Sequence, residues 1–290
     1  ASTVMALVAD LTREEQRTKA MALVGISIGL SFAVAMVLGP VVAAVGGLAS
    51  VFWFTAVLAA VGIGIVILLV PTPHSASGDH QEEGARLGFI GRGLVDEGLV
   101  RLNFGVFVLH FILVACFLVL PGVLEQTFGV GREQHWMVYL PVLLLSVVGM
   151  VPLMILAERG KRPRQMFLLG IALIFAAIGV LGFTATNLLF YGGLWLFVVG
   201  FNYLEATLPS LVSKTVFAGG KGTAMGVYSS CQFMGAFAGG AGGGWLLDHL
   251  GSGVLTGVCL ALAAGWWLVV QTAPVPKDVT NITPTPLTET

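Results

Sequence analysis

The chain alternates between long apolar segments and short polar joints. An α-helix needs ~20 apolar residues to cross ~30 Å of hydrocarbon, whereas a membrane-spanning β-barrel shows ~10-residue segments of alternating hydrophobicity. The apolar segments here are long and continuous, so the pattern predicts an all-α, polytopic membrane protein. We expect its helices at 20–47, 49–70, 101–126, 136–157, 165–185, 188–213, 223–248 and 253–272.

The polar joints divide the chain into four regions. A short apolar start ends in the charged loop DLTREEQRTK, and the longest joint is first polar and Gly/Pro-rich, then weakly amphipathic. Such a joint is typical of a linker that ends in an interfacial helix. We predict the remainder of an N-terminal helical half at 1–70, a cytoplasmic linker at 71–100, a C-terminal six-helix half at 101–272 and a cytoplasmic tail at 273–290.

The basic residues are distributed by topology. When successive joints are assigned alternately to the two sides of the membrane, one side has a single basic residue, Arg132, and the other side has all the rest. The positive-inside rule makes the other side cytoplasmic and places the C-terminus there. The thirteen basic residues on that side are Arg13, Arg17, Lys19, Arg86, Arg92, Arg101, Arg159, Lys161, Arg162, Arg164, Lys214, Lys221 and Lys277.

A weak internal repeat supports this layout. The sequence TKAM at 18–21 matches GTAM at 222–225, and the same offset places Gly39 on Gly243 and Gly47 on Gly251. The two copies lie six predicted spans apart and run in the same direction. Such parallel repeats are typical of secondary transporters built from two six-helix halves.

Composition narrows the class of function. Of 290 residues, 57% are hydrophobic and 10% are charged, and the mean hydropathy is +0.94, far from an ordinary soluble domain. A net charge of −1 gives no argument for nucleic acid. The three cysteines lie inside apolar segments without metal-ligand spacing, and no catalytic motif is present. We therefore expect no enzyme activity, cofactor or metal.

One carboxylate lies deep inside an apolar segment. Glu205 is nine residues from Lys214, where the helix re-enters water, so it is expected near mid-membrane. Asn202 and Pro209 recur on the same helix face at i and i+7. Ionisable groups at this depth are costly and commonly mark proton relays or substrate paths, although a neutral, hydrogen-bonded structural glutamate is the alternative.

A histidine lies equally deep in another segment. His110 is nine residues from Arg101, and Asn103 and Phe107 share its helix face. A buried neutral histidine with one hydrogen bond is the common case. An unperturbed imidazole has a pKa of about 6.5, however, which suits a group that gains and loses a proton near neutrality.

Two further motifs are candidates for conformational roles. The segment GISIGLSFAVAMVLGPVVAAVGG contains Gly25, Gly29, Gly39 and Pro40; the proline should kink the helix, and the glycines either open a sliding surface or simply pack tightly. The basic joint after 157 either latches one conformation by pairing with helix ends or anchors the cytoplasmic side. Its candidate residues are Glu158, Arg159, Gly160, Lys161 and Arg162.

The blocks DLTREEQRTKAMALVGISIGLSFAVAMVLGP and FNYLEATLPSLVSK…GKGTAMGVYSSCQFMGAFAGG carry a family resemblance. They resemble the YajR-like group of bacterial inner-membrane drug:proton antiporters in the major facilitator superfamily. The resemblance implies a twelve-helix carrier, of which this chain would supply the end of helix four and helices five to twelve. The basic joint is similar to the superfamily's Asp-Arg-x-Gly-Arg-Arg loop, with Glu158 in place of the aspartate.

The resemblance also implies roles for the singled-out residues. Glu205 and His110, which could face one another, would carry protons, and a monomer in the lipid bilayer would export a small amphipathic molecule. The substrate path would be lined by Asn103, Phe107, Phe111, Asn202 and Tyr203, while Gly39 and Pro40 would let the halves slide. A proton-coupled nutrient importer and a non-transporting membrane scaffold are the alternatives.

Overall fold

The structure is a computed structural model that describes residues 14–70, 96–183, 186–216 and 221–272. Within these ranges the chain is helical and contains no strand, which confirms the predicted all-α class. The predicted linker and C-terminal tail lie mostly or wholly outside the described residues. The helices are α1 (Glu14–Leu69), α2 (Glu97–Gln126), α3 (His135–Glu158), α4 (Pro163–Phe183), α5 (Asn187–Thr215) and α6 (Lys221–Thr272), with a 3₁₀ turn at Arg132–Gln134 before α3.

Two of these helices are jointed at a glycine. In α1 the helical dihedral angles are interrupted at Gly46 and Gly47, and in α6 at Gly251. Gly47 has φ 69° and ψ −173°, and Gly251 has φ 83° and ψ 171°, a backbone region open essentially to glycine alone. The same joint therefore recurs at the offset of the sequence repeat. It separates the four segments that the apolar pattern predicts within α1 and α6.

The joint in α1 lies at the predicted boundary between the segments 20–47 and 49–70, and it does not coincide with Pro40. At Pro40 the helical dihedral angles continue, and they are interrupted six residues later, at Gly46 and Gly47; a bend at Pro40 itself stays a prediction. Proline has a helix-compatible φ and removes only one hydrogen bond. Gly47 instead takes a positive φ that redirects the chain.

The helices α2 to α6 pack into one bundle. α2 packs most extensively on α6 and α4 on α5, while α5 also contacts α3 and α4 also contacts α6. The main apolar core lies among α2, α4, α5 and α6, and a second cluster joins α2, α3 and the start of α5. α1 touches mainly α3 and the 3₁₀ turn.

Close backbone contact brings α2 and α6 together. A Cβ atom on Gly235 would stand 2.2 Å from the carbonyl oxygen of Phe107, and one on Gly239 would stand 2.4 Å from that of Phe111. Both pairs have the same offset along the two helices, so α2 and α6 run parallel at this contact. Only glycine permits such an approach, as in other membrane helix pairs.

The outer surface of the bundle is apolar. Six helices among the described residues are long and apolar enough to cross a membrane. Large side chains such as Trp53, Phe183 and Phe237 are three-quarters or more exposed. A soluble protein rarely exposes apolar surface on this scale, whereas lipid tails cover it at little cost.

Candidate functional site: a polar cluster among α2, α5 and α6

His110 lies on α2 inside the bundle, with 9% of its surface exposed. Its Nδ1 is 3.1 Å from the carbonyl oxygen of Val106 one turn earlier, and its ring meets that of Phe201 edge-on at 5.7 Å. A carbonyl only accepts hydrogen bonds, so Nδ1 must donate its hydrogen. In the neutral ring Nε2 is then a free acceptor, and it points towards α5 and α6.

Glu205 on α5 faces this histidine. The carboxylate Oε2 is 3.7 Å from His110 Nε2, too far for a hydrogen bond but close for an ion pair. Oε2 is buried and has no hydrogen-bond partner among the described residues, although the side chain as a whole is one-third exposed. The structure thus brings together the two ionisable residues singled out from the sequence.

A third side chain, which sequence analysis missed, connects them. The amide Nε2 of Gln232 on α6 is 2.8 Å from His110 Nε2 and 3.1 Å from Glu205 Oε1. Each of its two hydrogens therefore has an acceptor, one on each partner. Gln232 is the one amide in the predicted span 223–248, which is the signal that could have identified it.

The three residues lie at similar depth. His110 is nine residues from Arg101, Glu205 nine from Lys214 and Gln232 eleven from Lys221. At 1.5 Å per residue, these intervals are about 14 to 17 Å, close to half of the ~30 Å hydrocarbon thickness. The charged helix ends therefore mark a common level, and the cluster is near mid-membrane.

The predicted path residues of α2 lie within two helical turns of His110 along the chain. Asn103 is 8% exposed, and its Oδ1 has no hydrogen-bond partner among the described side chains and backbone. Phe107 is half-buried and lies between Asn103 and His110 on the same helix face. Phe111 is buried in the main core, with its carbonyl against Gly239.

The predicted path residues of α5 face other helices. Asn202 donates a hydrogen bond of 2.8 Å from Nδ2 to Oγ of Ser146 on α3, and Ser146 is fully buried. Tyr203 is 1% exposed and packs against Gly170 of α4. The structure therefore does not bring these two residues together with Glu205, because adjacent positions on α5 point to different neighbouring helices.

The basic joint between α3 and α4 is a tight turn. α3 ends at Glu158, Lys161 has a positive φ of 50°, and Gly160 leaves no room for a Cβ, which would stand 2.4 Å from the carbonyl oxygen of Leu156. The side chains of Arg159 and Arg162 are exposed.

Arg164, the last residue of this joint, forms hydrogen bonds with the end of another helix. Arg164 Nη2 donates to the carbonyl oxygens of Val270, at 3.4 Å, and of Gln271 at the end of α6. A cation at a helix C-terminus interacts favourably with the helix dipole as well as with these carbonyls.

The glycine-rich motif lies in the first segment of α1. Gly25 and Gly29 are within the helix, and Gly39 and Pro40 are half-buried, with open space where a Gly39 Cβ would stand. A sliding surface at this motif stays a prediction. The part of the chain that the structure describes has no group of three His, Cys, Asp or Glu side chains that could hold a metal.

The fold and the site define a class of protein: a helical bundle with an apolar exterior that encloses a hydrogen-bonded cluster with two ionisable side chains at mid-membrane depth. Comparison with family models gives the family. The model of the Major Facilitator Superfamily matches residues 1–240. The chain belongs to this superfamily, which confirms the resemblance seen in the sequence.

Curated relatives agree with this assignment. The chain is 43% identical over 284 residues to the "Inner membrane transport protein YajR" of Escherichia coli, covering 97% of the chain and 62% of the relative. It is 32% identical to an uncharacterized transporter of Buchnera aphidicola from Acyrthosiphon pisum, with coverages of 81% and 60%. A transporter from the Baizongia pistaciae strain is 27% identical, with coverages of 86% and 64%. The chain spans about three-fifths of the length of these relatives.

Proposed function

We propose that the whole protein is a proton-coupled secondary transporter that exports small amphipathic molecules by alternating access. The family membership and the relatives, which are named as transporters, support the transport function. The relative from E. coli is named as an inner membrane protein, which supports that membrane as the location. The one-sided distribution of basic residues supports a cytoplasmic C-terminus.

The observation that carries the proton coupling is the contact between His110 and Glu205. An ionisable pair at this depth is expensive to bury unless it faces a partner or water. The acceptor nitrogen Nε2 of His110 lies 3.7 Å from Oε2 of Glu205, which has no hydrogen-bond partner among the described residues. An approach of about 1 Å would bring these atoms within the distance of direct proton transfer.

The surroundings of the pair suit an amphipathic substrate. On the same face of α2, Phe107 presents an apolar ring, and Asn103 presents a side-chain oxygen that has no donor among the described residues. We assign the substrate path to these two residues, because Phe111 is buried in the main core. Asn202 and Tyr203 act mainly in packing, since their side chains are engaged by α3 and α4.

Transport by the full-length protein in proteoliposomes tests the proposal. A pH gradient across the liposome membrane should drive the uptake or release of amphipathic dyes such as ethidium. In Glu205→Gln this flux should be at least tenfold lower. Glu97→Gln is the matched control, because Glu97 is largely exposed at the start of α2. Undiminished gradient-driven flux in Glu205→Gln would contradict the proposal.

The polarity of the gradient separates the alternatives. An exporter moves dye against the proton flow, whereas an importer moves its substrate with it. A scaffold would show no gradient-dependent flux, and replacing both His110 and Glu205 by apolar residues would leave its role intact.

A further inference from the structure

We propose that Gln232 is the positioning residue of the proton site and that its amide selectively stabilises the deprotonated form of the His110 and Glu205 pair. This inference rests on the proposed function, because it assigns a part in the same proton cycle. It concerns a residue on α6, a helix that contributes neither of the ionisable partners. The geometry of one amide group carries it.

The amide of Gln232 fits one protonation state. Its nitrogen lies within hydrogen-bond distance of His110 Nε2, at 2.8 Å, and of Glu205 Oε1, at 3.1 Å. An amide N–H only donates, so His110 Nε2 must carry no hydrogen, and this agrees with the hydrogen on Nδ1 that Val106 accepts. An ionised carboxylate is also the stronger acceptor of the second bond. The arrangement therefore favours a neutral imidazole beside a carboxylate.

Protonation of the imidazole disrupts this arrangement. A proton that binds at His110 Nε2 turns the acceptor into a donor, which then faces the N–H of Gln232. The amide must rotate so that its oxygen accepts the new N–H. No covalent bond other than the N–H of the bound proton forms or breaks. Gln232 thus has two hydrogen-bonded orientations, and the protonation state of the pair selects between them.

The place of Gln232 is fixed by the backbone. Gln232, Gly235 and Gly239 lie at i, i+3 and i+7 and share the face of α6 that meets α2. The close contacts of both glycines with carbonyls of α2 hold the two helices in register. The amide is therefore presented to His110 at a set height rather than by a movable loop.

Few other ionisable groups face the pair. Tyr228, one turn before Gln232 on α6, is within electrostatic reach of Glu205, and its buried hydroxyl has no hydrogen-bond partner among the described residues. Cys231 is adjacent on the same helix. The charged groups of α3 and α4 described by the structure are at helix ends, as with Glu158 and Arg164. The amide is thus the hydrogen-bond donor that the described chain supplies to both partners.

Removing the amide should increase the proton affinity of the pair. Hydrogen bonds that a deprotonated group accepts stabilise that form, and their loss shifts the balance towards protonation. Gln232→Met keeps the length of the side chain but has no donor. We expect the midpoint of protonation to move to higher pH by about one unit, a tenfold change in proton affinity, because one hydrogen bond to a charged group is at stake.

Infrared titration of the purified full-length protein measures this midpoint without any substrate. The carbonyl band of the protonated carboxylic acid that disappears in Glu205→Gln is assigned to Glu205, and its intensity is followed against pH. Gln232→Asn, one methylene too short to reach both partners, should shift the midpoint in the same direction if Gln232→Met does not fold. Ser230→Ala is the control, since this exposed hydroxyl donates to the carbonyl oxygen of Gly226 within its own helix.

The outcomes separate the two proposals. A Glu205 band that titrates at higher pH in the Gln232 variants than in Ser230→Ala supports the positioning role. A Glu205 band with an unchanged midpoint in the folded Gln232 variants overturns it and leaves the proton pair standing. Normal gradient-driven transport by Glu205→Gln overturns the proposed function itself.

Discussion

Gly235 links the packing of the bundle to the geometry of the polar cluster, so Gly235→Ala is an informative perturbation. The added Cβ would stand 2.2 Å from the carbonyl oxygen of Phe107 and 2.8 Å from its carbonyl carbon. These are backbone atoms, which cannot rotate away as the end of a side chain can. The clash is relieved only if α2 and α6 move apart.

The size of this movement follows from the contact distances. Nonbonded heavy atoms are comfortable at about 3.5 Å, so the helices must separate by roughly 1 Å. The same shift would lengthen the 2.8 Å contact between Gln232 and His110 beyond hydrogen-bond range. Overpacking costs about 1 to 3 kcal/mol and the lost hydrogen bond about 1 kcal/mol, so we expect a destabilisation of about 2 to 4 kcal/mol.

Unfolding of the full-length protein in detergent measures this cost, with Gly242→Ala on the same helix as the control. A Cβ on Gly242 meets nothing within 4 Å. Both substitutions gain the same helix propensity, about 1 kcal/mol, so the difference between them isolates the contact with α2. Gly235→Ala should also shift the Glu205 titration towards that of Gln232→Met. Equal unfolding midpoints for the two alanine variants would refute the reasoning.

Two other features give direct tests. Gly47→Ala and Gly251→Ala should each lower the unfolding free energy of the full-length protein by about 1 to 3 kcal/mol, because both positions have a positive φ that a Cβ disfavours. Gly253→Ala is the control, because its φ is not positive and a Cβ there meets nothing within 4 Å. Equal stability of Gly251→Ala and Gly253→Ala would contradict the role of glycine at the joint. Arg164→Met should cost about 1 kcal/mol and speed hydrogen exchange at the last turn of α6, because the carbonyls of Val270 and Gln271 lose their donor. Arg162→Met, an exposed change in the same turn, should leave that exchange rate unaltered. Matching rates in the two variants would argue against the stabilisation of the end of α6 by Arg164.

Much of the fold could be predicted because the bilayer constrains the sequence strongly. Apolar segments of membrane length imply helices, and the repeat offset leads from Gly47 to Gly251, which share one unusual backbone conformation. His110 and Glu205 could be predicted at equal depth because each lies nine residues from the charged end of its helix, whereas their facing one another is implied by the family resemblance. Equal depth is a one-dimensional property, and the sequence records it directly.

The rest of the site depends on rotation and on close contact between helices, which the sequence does not record. Tyr203 and Glu205 are two positions apart on α5, yet only the glutamate faces α2, because Gly170 of α4 accommodates the tyrosine ring. Gln232 is uncharged and so does not stand out in an apolar span, and its reach to His110 depends on the contact of Gly235 with α2. Such details follow from three-dimensional packing, so a single sequence leaves them open.

The polar cluster links the charge of the site to the position of α5. The carboxylate of Glu205 on α5 has its described donor on α6, where the amide of Gln232 spans 3.1 Å. Moving α5 away from α2 and α6 would remove this donor. An ionised Glu205 would then be left with fewer partners in a low-dielectric interior, and the free-energy cost of this is far higher than for a neutral, protonated Glu205 in the same place. A protonated Glu205 therefore resists that movement less than an ionised one. Under the proposed mechanism, proton binding and separation of α5 from its neighbours favour each other, and no additional gate is needed to couple them.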